Sequence, residues 1–210
     1  MPTTQWFPTL IYDAPLEKPA PGKRRATPFN RELLAECYQI RDMDDEGADW
    51  CAENYPGGYT SYGSITQLHR MSSTFAELRD RLGRHVKSFA RSLDFDLDGR
   101  TLEMTDCWVN IMPHGCAHTL HLHPTSTISG TYYVKTPKGS SSIRFEDPRL
   151  SKFMAAPPRK LDARRANRAF VHYPAEAGQV LLFESWLRHD VAASRIEAER
   201  VSISFNFNWF

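Results

Sequence analysis

The stretch Arg200-Val201-Ser202-Ile203-Ser204-Phe205-Asn206-Phe207-Asn208-Trp209 alternates polar and apolar residues without a break. A β-strand sends successive side chains to opposite faces. Val201, Ile203, Phe205, Phe207 and Trp209 therefore share one face, and Arg200, Ser202, Ser204, Asn206 and Asn208 share the other. In an open sheet the polar face meets solvent. In a small barrel that encloses a ligand it points inward. Histidines elsewhere in the chain favour the inward choice, because a pocket that holds a metal needs polar walls.

Upstream of this strand the pattern stays β. The segments Cys107–Met112, Ile128–Lys135, Ser142–Glu146, Phe170–Tyr173 and Gln179–Phe183 are short, rich in β-branched and aromatic residues, and bounded by Pro or Gly. The first hundred residues read differently. Phe75, Leu78, Leu82, Val86, Phe89 and Leu93 recur at helical spacing, with Thr74 and Glu77 as a capping box. Asn30 is expected to cap a second helix running to about Asp42. Phe7 to Tyr12 reads as a short strand, 15–28 as a proline-rich loop, and 45–62 as irregular. The reading is one domain over 1–210: an N-terminal strand and packing helices over 1–100, then a jelly-roll core with the metal site over 101–210. The fold class is mainly β with flanking helices, a cupin-like jelly roll or double-stranded β-helix.

A net charge of +1 gives no global pull towards nucleic acid or an anionic membrane. No apolar run reaches the length of a membrane span, and the first residues do not form a signal peptide. Cys37, Cys51, Cys107 and Cys116 show no Cys-x-x-Cys spacing, so they read as reduced thiols of a cytoplasmic protein. That spacing argues against a structural zinc site.

The histidines need another account. His114, His118, His121 and His123 lie within ten residues, half of the eight in the chain. On a strand, His121 and His123 face the same way. His189 follows the apolar run Val180-Leu181-Leu182-Phe183. Such a pair with a distant third can occupy one face of an octahedron and leave three positions for a chelating co-substrate and O2. One ligand in such sets is usually a carboxylate, and His123 stands at that position here. Asp190 would point to the opposite face of a strand from His189. The reading is therefore three histidines, His121, His123 and His189. His114 and His118 are read as non-ligands beside the site, and His69, His85 and His172 as structural.

Ten residues separate His189 from Arg200. Arg200 and Ser202, two apart on a strand, can grip one carboxylate together, because guanidinium offers a planar fork of charge-assisted donors. A buried arginine without an anion is costly, which an acidic ligand resolves. Between Arg149 and Arg168 seven basic residues face one acid, Asp162. That segment is either a solvated loop or a lid that steers an anionic substrate.

Together, His121-Leu122-His123, His189 and Arg200 resemble the 2-oxoglutarate/Fe(II)-dependent oxygenase superfamily, whose pattern is His-x-Asp/Glu, a distal His and a basic residue about ten positions on. The stretch His123-Pro124-Thr125-Ser126-Thr127-Ile128-Ser129-Gly130-Thr131-Tyr132-Tyr133 and the closing Arg200-x-Ser202-x-Ser204-x-Asn206 are similar to a narrower, largely uncharacterised group within it. The resemblance implies a double-stranded β-helix, Fe(II), 2-oxoglutarate as co-substrate and O2, with succinate and CO2 released. It implies iron on His121 and His189, with His123 in place of the usual acid. Arg200 with Ser202 would hold the far carboxylate of 2-oxoglutarate. Tyr133 would either join them or serve as a core aromatic, and Asn110 would line the pocket. The substrate would be a small molecule or a protein side chain; the sequence carries no sign of oligomeric state. Two other readings of the same residues stay open: a three-histidine cupin-type dioxygenase or zinc enzyme, and a non-catalytic module that binds metal or a small acid.

Overall fold

The structure is a computed structural model that describes residues 2–17 and 27–210. Among the described residues, ten strands form two antiparallel sheets. They are β1 (Ile11–Pro15), β2 (Tyr59–Thr60), β3 (Leu102–Met112), β4 (His118–His121), β5 (Ile128–Lys135), β6 (Ile143–Glu146), β7 (Phe170–Tyr173), β8 (Gln179–Glu184), β9 (His189–Val191) and β10 (Arg200–Trp209). The major sheet runs β1-β8-β5-β10-β3-β2 and the minor one β4-β9-β6-β7. Phe183 of the major sheet meets Phe145 and His189 of the minor one, ring centroids 5.0 and 4.6 Å away. The two sheets thus face each other around an interior, as a jelly roll requires.

The alternation of β10 divides the protein. Val201, Ile203, Phe205 and Phe207 are buried in the main hydrophobic core, on the side where helices cover the major sheet. Those helices are α1 (Pro28–Met43), α2 (Asp45–Asn54), α3 (Leu68–Met71) and α4 (Ser73–Ser92); α1 rests on β5, and α4 on β3 and β8. Of the expected stripe, Phe75, Leu78, Leu82, Val86 and Phe89 are buried, each contributing about 1.5–3 kcal/mol, whereas Leu93 is the C-cap residue beyond the helix and only partly buried. The polar face of β10 turns inward, where Ser204 accepts from Asn110 and Asn206 bonds His123.

Several local expectations are corrected. The cap of α1 is Thr27, whose hydroxyl accepts from the Asn30 amide, with Pro28 opening the helix. Asn30 is instead buried, donating to the Val134 carbonyl and accepting from Tyr132. The cap of α4 is Ser72, which accepts from the Thr74 and Phe75 amides, so Thr74 and Glu77 form no capping box; Glu77 pairs with Arg81 one turn on. The segment 45–62 is not irregular at its start: α2 occupies it, capped by Asp44. The N-terminal strand begins at Ile11 rather than Phe7, which is 90 % exposed with a φ of 58°. The loop expected over 15–28 lies mostly outside the described residues.

Gly130, on the helix-facing side of β5, has a physical reason to be glycine. A Cβ there would stand 2.5 Å from the Phe205 ring and 2.6 Å from the Leu181 carbonyl oxygen. Gly130→Ala is expected to cost about 1–3 kcal/mol in thermal or urea unfolding through overpacking. Gly83, inside α4 with nothing within 4 Å of a new Cβ, is the counterpart: Gly83→Ala should gain about 0.5–1 kcal/mol. Equal effects at the two positions would contradict the packing argument.

Candidate metal centre and carboxylate pocket

His121 ends β4 and His189 begins β9, and the two are paired across the minor sheet. His123 lies just past the end of β4, fixed by its amide donating to the Ser185 carbonyl at 3.0 Å. Its ring nevertheless stacks on that of His121, centroids 5.3 Å apart and planes 16° from parallel. The pair faces one way as strand spacing suggests, although only His121 is in the strand. One ligand atom from each of His121, His123 and His189 falls within 4.8 Å of the others.

In all three rings Nδ1 is occupied. It contacts the Thr119 carbonyl at 2.6 Å in His121, the Leu187 carbonyl at 2.9 Å in His189, and Asn206 Oδ1 at 2.7 Å in His123. Each acceptor calls for Nδ1–H, which leaves Nε2 of each ring with a free lone pair. The Asp190 carboxylate points away to an ion pair with Arg144, as strand parity requires. The arrangement fits a divalent metal bound by three nitrogens.

Burial favours the neutral form of His189, His118 and His123. Burial, followed by the neighbouring His121, pushes His189 down to about 3. Burial, then the positive field of Arg200, does the same to His118, and burial also lowers His123. The unfolded chain binds protons at these positions below about pH 6.5 while the folded one stays neutral. Stability of the metal-free protein must then fall as pH drops from about 6.5 towards 3, by about 1 kcal/mol per unit for each of His189 and His118. Urea unfolding of the metal-free protein at pH 7 and 5 tests this; unchanged midpoints would contradict it.

The acid pocket adjoins the histidines. Arg200 is 5 % exposed, and its Nη1 reaches only the Met112 sulfur at 3.4 Å and the Ser141 carbonyl at 3.3 Å. Its Nε and the Tyr133 hydroxyl are buried without hydrogen-bond partners. The guanidinium lies over the Tyr133 ring at 5.1 Å. Two orphaned donors on one buried cation and its neighbour are what a carboxylate would satisfy. Ser202 stands in register with Asn110 and Tyr133 on the same inner row. Asn110 is engaged at both ends, accepting from Thr60 and donating to Ser204. His118 lies beside the pocket, stacked on Tyr55 with Nε2 3.2 Å from its hydroxyl. Of the other histidines, His85 bonds Tyr12 and the Leu16 carbonyl on the far side of the fold.

Three neighbours of His123 were not singled out from sequence: Ser129, whose hydroxyl is 3.0 Å from Nδ1, and Ser185 and Asp106, one bond further out. Asn206 sits in the same alternation as Arg200, so parity along β10 could have found it. The others depend on register between strands.

Residues 106–206 match the sequence model of a family described as "Putative 2OG-Fe(II) oxygenase". No curated protein matches the chain by sequence. Among solved structures, it is similar to the non-heme alpha ketoglutarate dependent epimerase SnoN from nogalamycin biosynthesis (TM-score 0.63, 12 % identity, 95 % of this chain and 76 % of that one). It is likewise similar to a prolyl-4-hydroxylase from Pseudomonas putida (0.59, 16 %, 95 % and 92 %). A third is HygX from Streptomyces hygroscopicus, solved with nickel and 2-oxoglutarate (0.61, 13 %, 95 % and 82 %). These likenesses establish the double-stranded β-helix fold. The family match covers the histidine–arginine segment, so residues 106–206 are similar in sequence to 2-oxoglutarate/Fe(II)-dependent oxygenases.

Proposed function

We propose that His121, His123 and His189 hold the Fe(II), that Arg200 with Tyr133 and Ser202 takes the far carboxylate of 2-oxoglutarate, and that the enzyme oxidises a small molecule. The observation that carries the reading is the three-histidine cluster together with a buried arginine whose Nε has no partner and whose charge is felt at His118, itself a neighbour of His189. When bound, Fe(II) and 2-oxoglutarate supply oxidation by O2, with 2-oxoglutarate leaving as succinate and CO2.

The protein's share is binding, orientation and exclusion of water. Backbone carbonyls of Thr119 and Leu187 fix two imidazoles. Phe183 and Phe145 pack on the His189 ring, centroids 4.6 and 5.9 Å away, and keep that side dry. Arg200 supplies a positive charge, while His118 beside it stays neutral and offers the anion no competing charge. Tyr62, 56 % exposed, packs on Trp108, which packs on His123, so an aromatic file leads from the surface to the histidines and suits an apolar part of a substrate.

A small-molecule substrate draws support from structures of the same fold: SnoN solved with Fe3+, alpha ketoglutarate and nogalamycin RO, and HygX with hygromycin B. The basic segment expected as loop or lid lies between β6 and β7. Its base at Glu146 adjoins Arg188, next to His189. Arg149 is spent on Asp147, and Arg165 on the Tyr173 ring; the remaining cations would steer an anionic substrate. No helix among the described residues is long and apolar enough to cross a membrane. All four cysteines are free and buried, which supports a cytoplasmic location.

The reading is tested on protein loaded anaerobically with Fe(II). Addition of 2-oxoglutarate should raise a weak visible charge-transfer band, and O2 should then release succinate. Iron-loaded protein that takes up no 2-oxoglutarate would overturn the proposal. Activity with zinc and without 2-oxoglutarate would favour a hydrolytic site instead.

A further inference from the structure

The only carboxylate joined to the histidine cluster by hydrogen bonds is that of Asp106, among the described residues, and it reaches the cluster through an amide. Asn206 Nδ2 donates to Asp106 Oδ2 at 3.3 Å, and Asn206 Oδ1 stands 2.7 Å from His123 Nδ1. Asp106, Asn206 and Ser129 lie in register across β3, β10 and β5.

We infer that Asp106 and Asn206 are positioning residues that compel His123 to present a bare Nε2 to the metal. The inference rests on the three-histidine reading. Consider the two ways the amide can lie. In the observed one, Asn206 gives its NH2 to Asp106 and its oxygen to His123. The reverse would place Oδ1 against the carboxylate oxygen, with two acceptors and no proton between them. The Asp106 oxygen, which accepts from both Thr105 and Asn206, therefore fixes the amide. The amide oxygen then faces His123 Nδ1 at 2.7 Å, a contact that is attractive only with a proton on Nδ1. The imidazole that carries Nδ1–H has its lone pair on Nε2, and the tautomer is decided two residues away.

The hydroxyls around this line agree with it. Ser129 Oγ lies 2.8 Å from Asn206 Oδ1 and 2.7 Å from Ser185 Oγ. Ser129 donates to the amide oxygen and accepts from Ser185, and its oxygen, 3.0 Å from His123 Nδ1, is a second acceptor for the Nδ1 proton. Asp106 Oδ2 also accepts from Thr105 at 2.8 Å. Of the three histidines, His121 and His189 take their tautomer from backbone carbonyls, which cannot flip. Only His123, the residue at the family's acidic position, depends on a side chain that can, and only there is a carboxylate placed to prevent it.

The test uses Mn(II) as the probe, titrated calorimetrically into metal-free protein. Asp106→Ala frees the amide to rotate and should weaken Mn(II) binding by about 10–100-fold. Adding Asn206→Asp to it should restore affinity to within a few-fold, because a carboxylate offers His123 an acceptor whichever way it turns. A merely structural role for Asp106 would not be rescued in this way. Unchanged affinity in folded Asp106→Ala, or no recovery in the double variant, would overturn the inference. His123→Ala separates the two layers of argument. Loss of Mn(II) there with none in Asp106→Ala rejects the positioning role alone. No loss in His123→Ala rejects the ligand reading and this inference with it. Nitrogen-15 spectra of the unaltered metal-free protein give a check independent of folding defects: His123 should carry its proton on Nδ1, and a proton on Nε2 would refute the inference.

Discussion

Arg200→Ala is expected to reduce 2-oxoglutarate affinity by about 30-fold to several thousand-fold, the range for truncating one partner of a buried charge pair at about 2–5 kcal/mol. The loss is large because the guanidinium is almost wholly buried and its Nε is unpaired. His118 beside it stays neutral and offers no positive charge to replace it. Metal affinity should change little, because Arg200 contacts none of the three imidazoles that hold it. Stability of the ligand-free protein should not fall and can rise, since the variant no longer buries an uncompensated cation. Titration of Mn(II)-loaded protein with 2-oxoglutarate reads the first effect, and urea unfolding the last. Arg200→Lys keeps the charge without the fork and should recover only part of the affinity. Wild-type affinity in Arg200→Ala would remove this residue from the site.

The second large effect is at His189. His189→Ala should reduce Mn(II) affinity beyond the about 10–100-fold that loss of an outer hydrogen-bond partner costs, because a donor atom itself is gone. The deletion leaves a space walled by Phe183, Phe145 and the His121 ring. Free imidazole should enter that space and recover part of the metal binding. Binding that survives the deletion without imidazole would exclude His189 as a ligand.

The parts of this protein that were readable in sequence are those set by a single element's periodicity. The boundaries of β5 and β7 coincide with the expected segments, and the buried stripe of α4 follows from helical spacing. The inward turn of the polar face of β10 was legible because histidines elsewhere required polar walls. Where local chemistry competes, the reading failed. Asn30 has the side chain of a cap, yet tertiary contacts with Val134 and Tyr132 claim it and Thr27 caps the helix. Helix α2 was hidden by Gly47 and its run of acids. Gly47 is there because a Cβ would meet the Asp44 carboxylate that caps the helix, at 2.0 Å. At the site, the three histidines and Arg200 could be singled out from spacing. Asp106, Ser129 and Ser185 could not, because their nearness to His123 is a matter of register between strands far apart in sequence.

The place of β10 has a consequence for synthesis. It is the last of the ten strands to leave the ribosome, yet it lies between β5 and β3 in the middle of the major sheet. Until it emerges, those two strands have no common partner and each shows an open row of amides and carbonyls, the kind of edge that invites pairing with another chain. Arg200, Ser202 and Asn206 arrive on the same strand. A nascent chain therefore holds most of its histidines long before it can bind a co-substrate, and the finished sheet and the pocket appear in one late event. Such long-range closure is slow and exposed to aggregation. Yield in a recombinant host should accordingly respond more to temperature and chaperone supply during expression than to added iron.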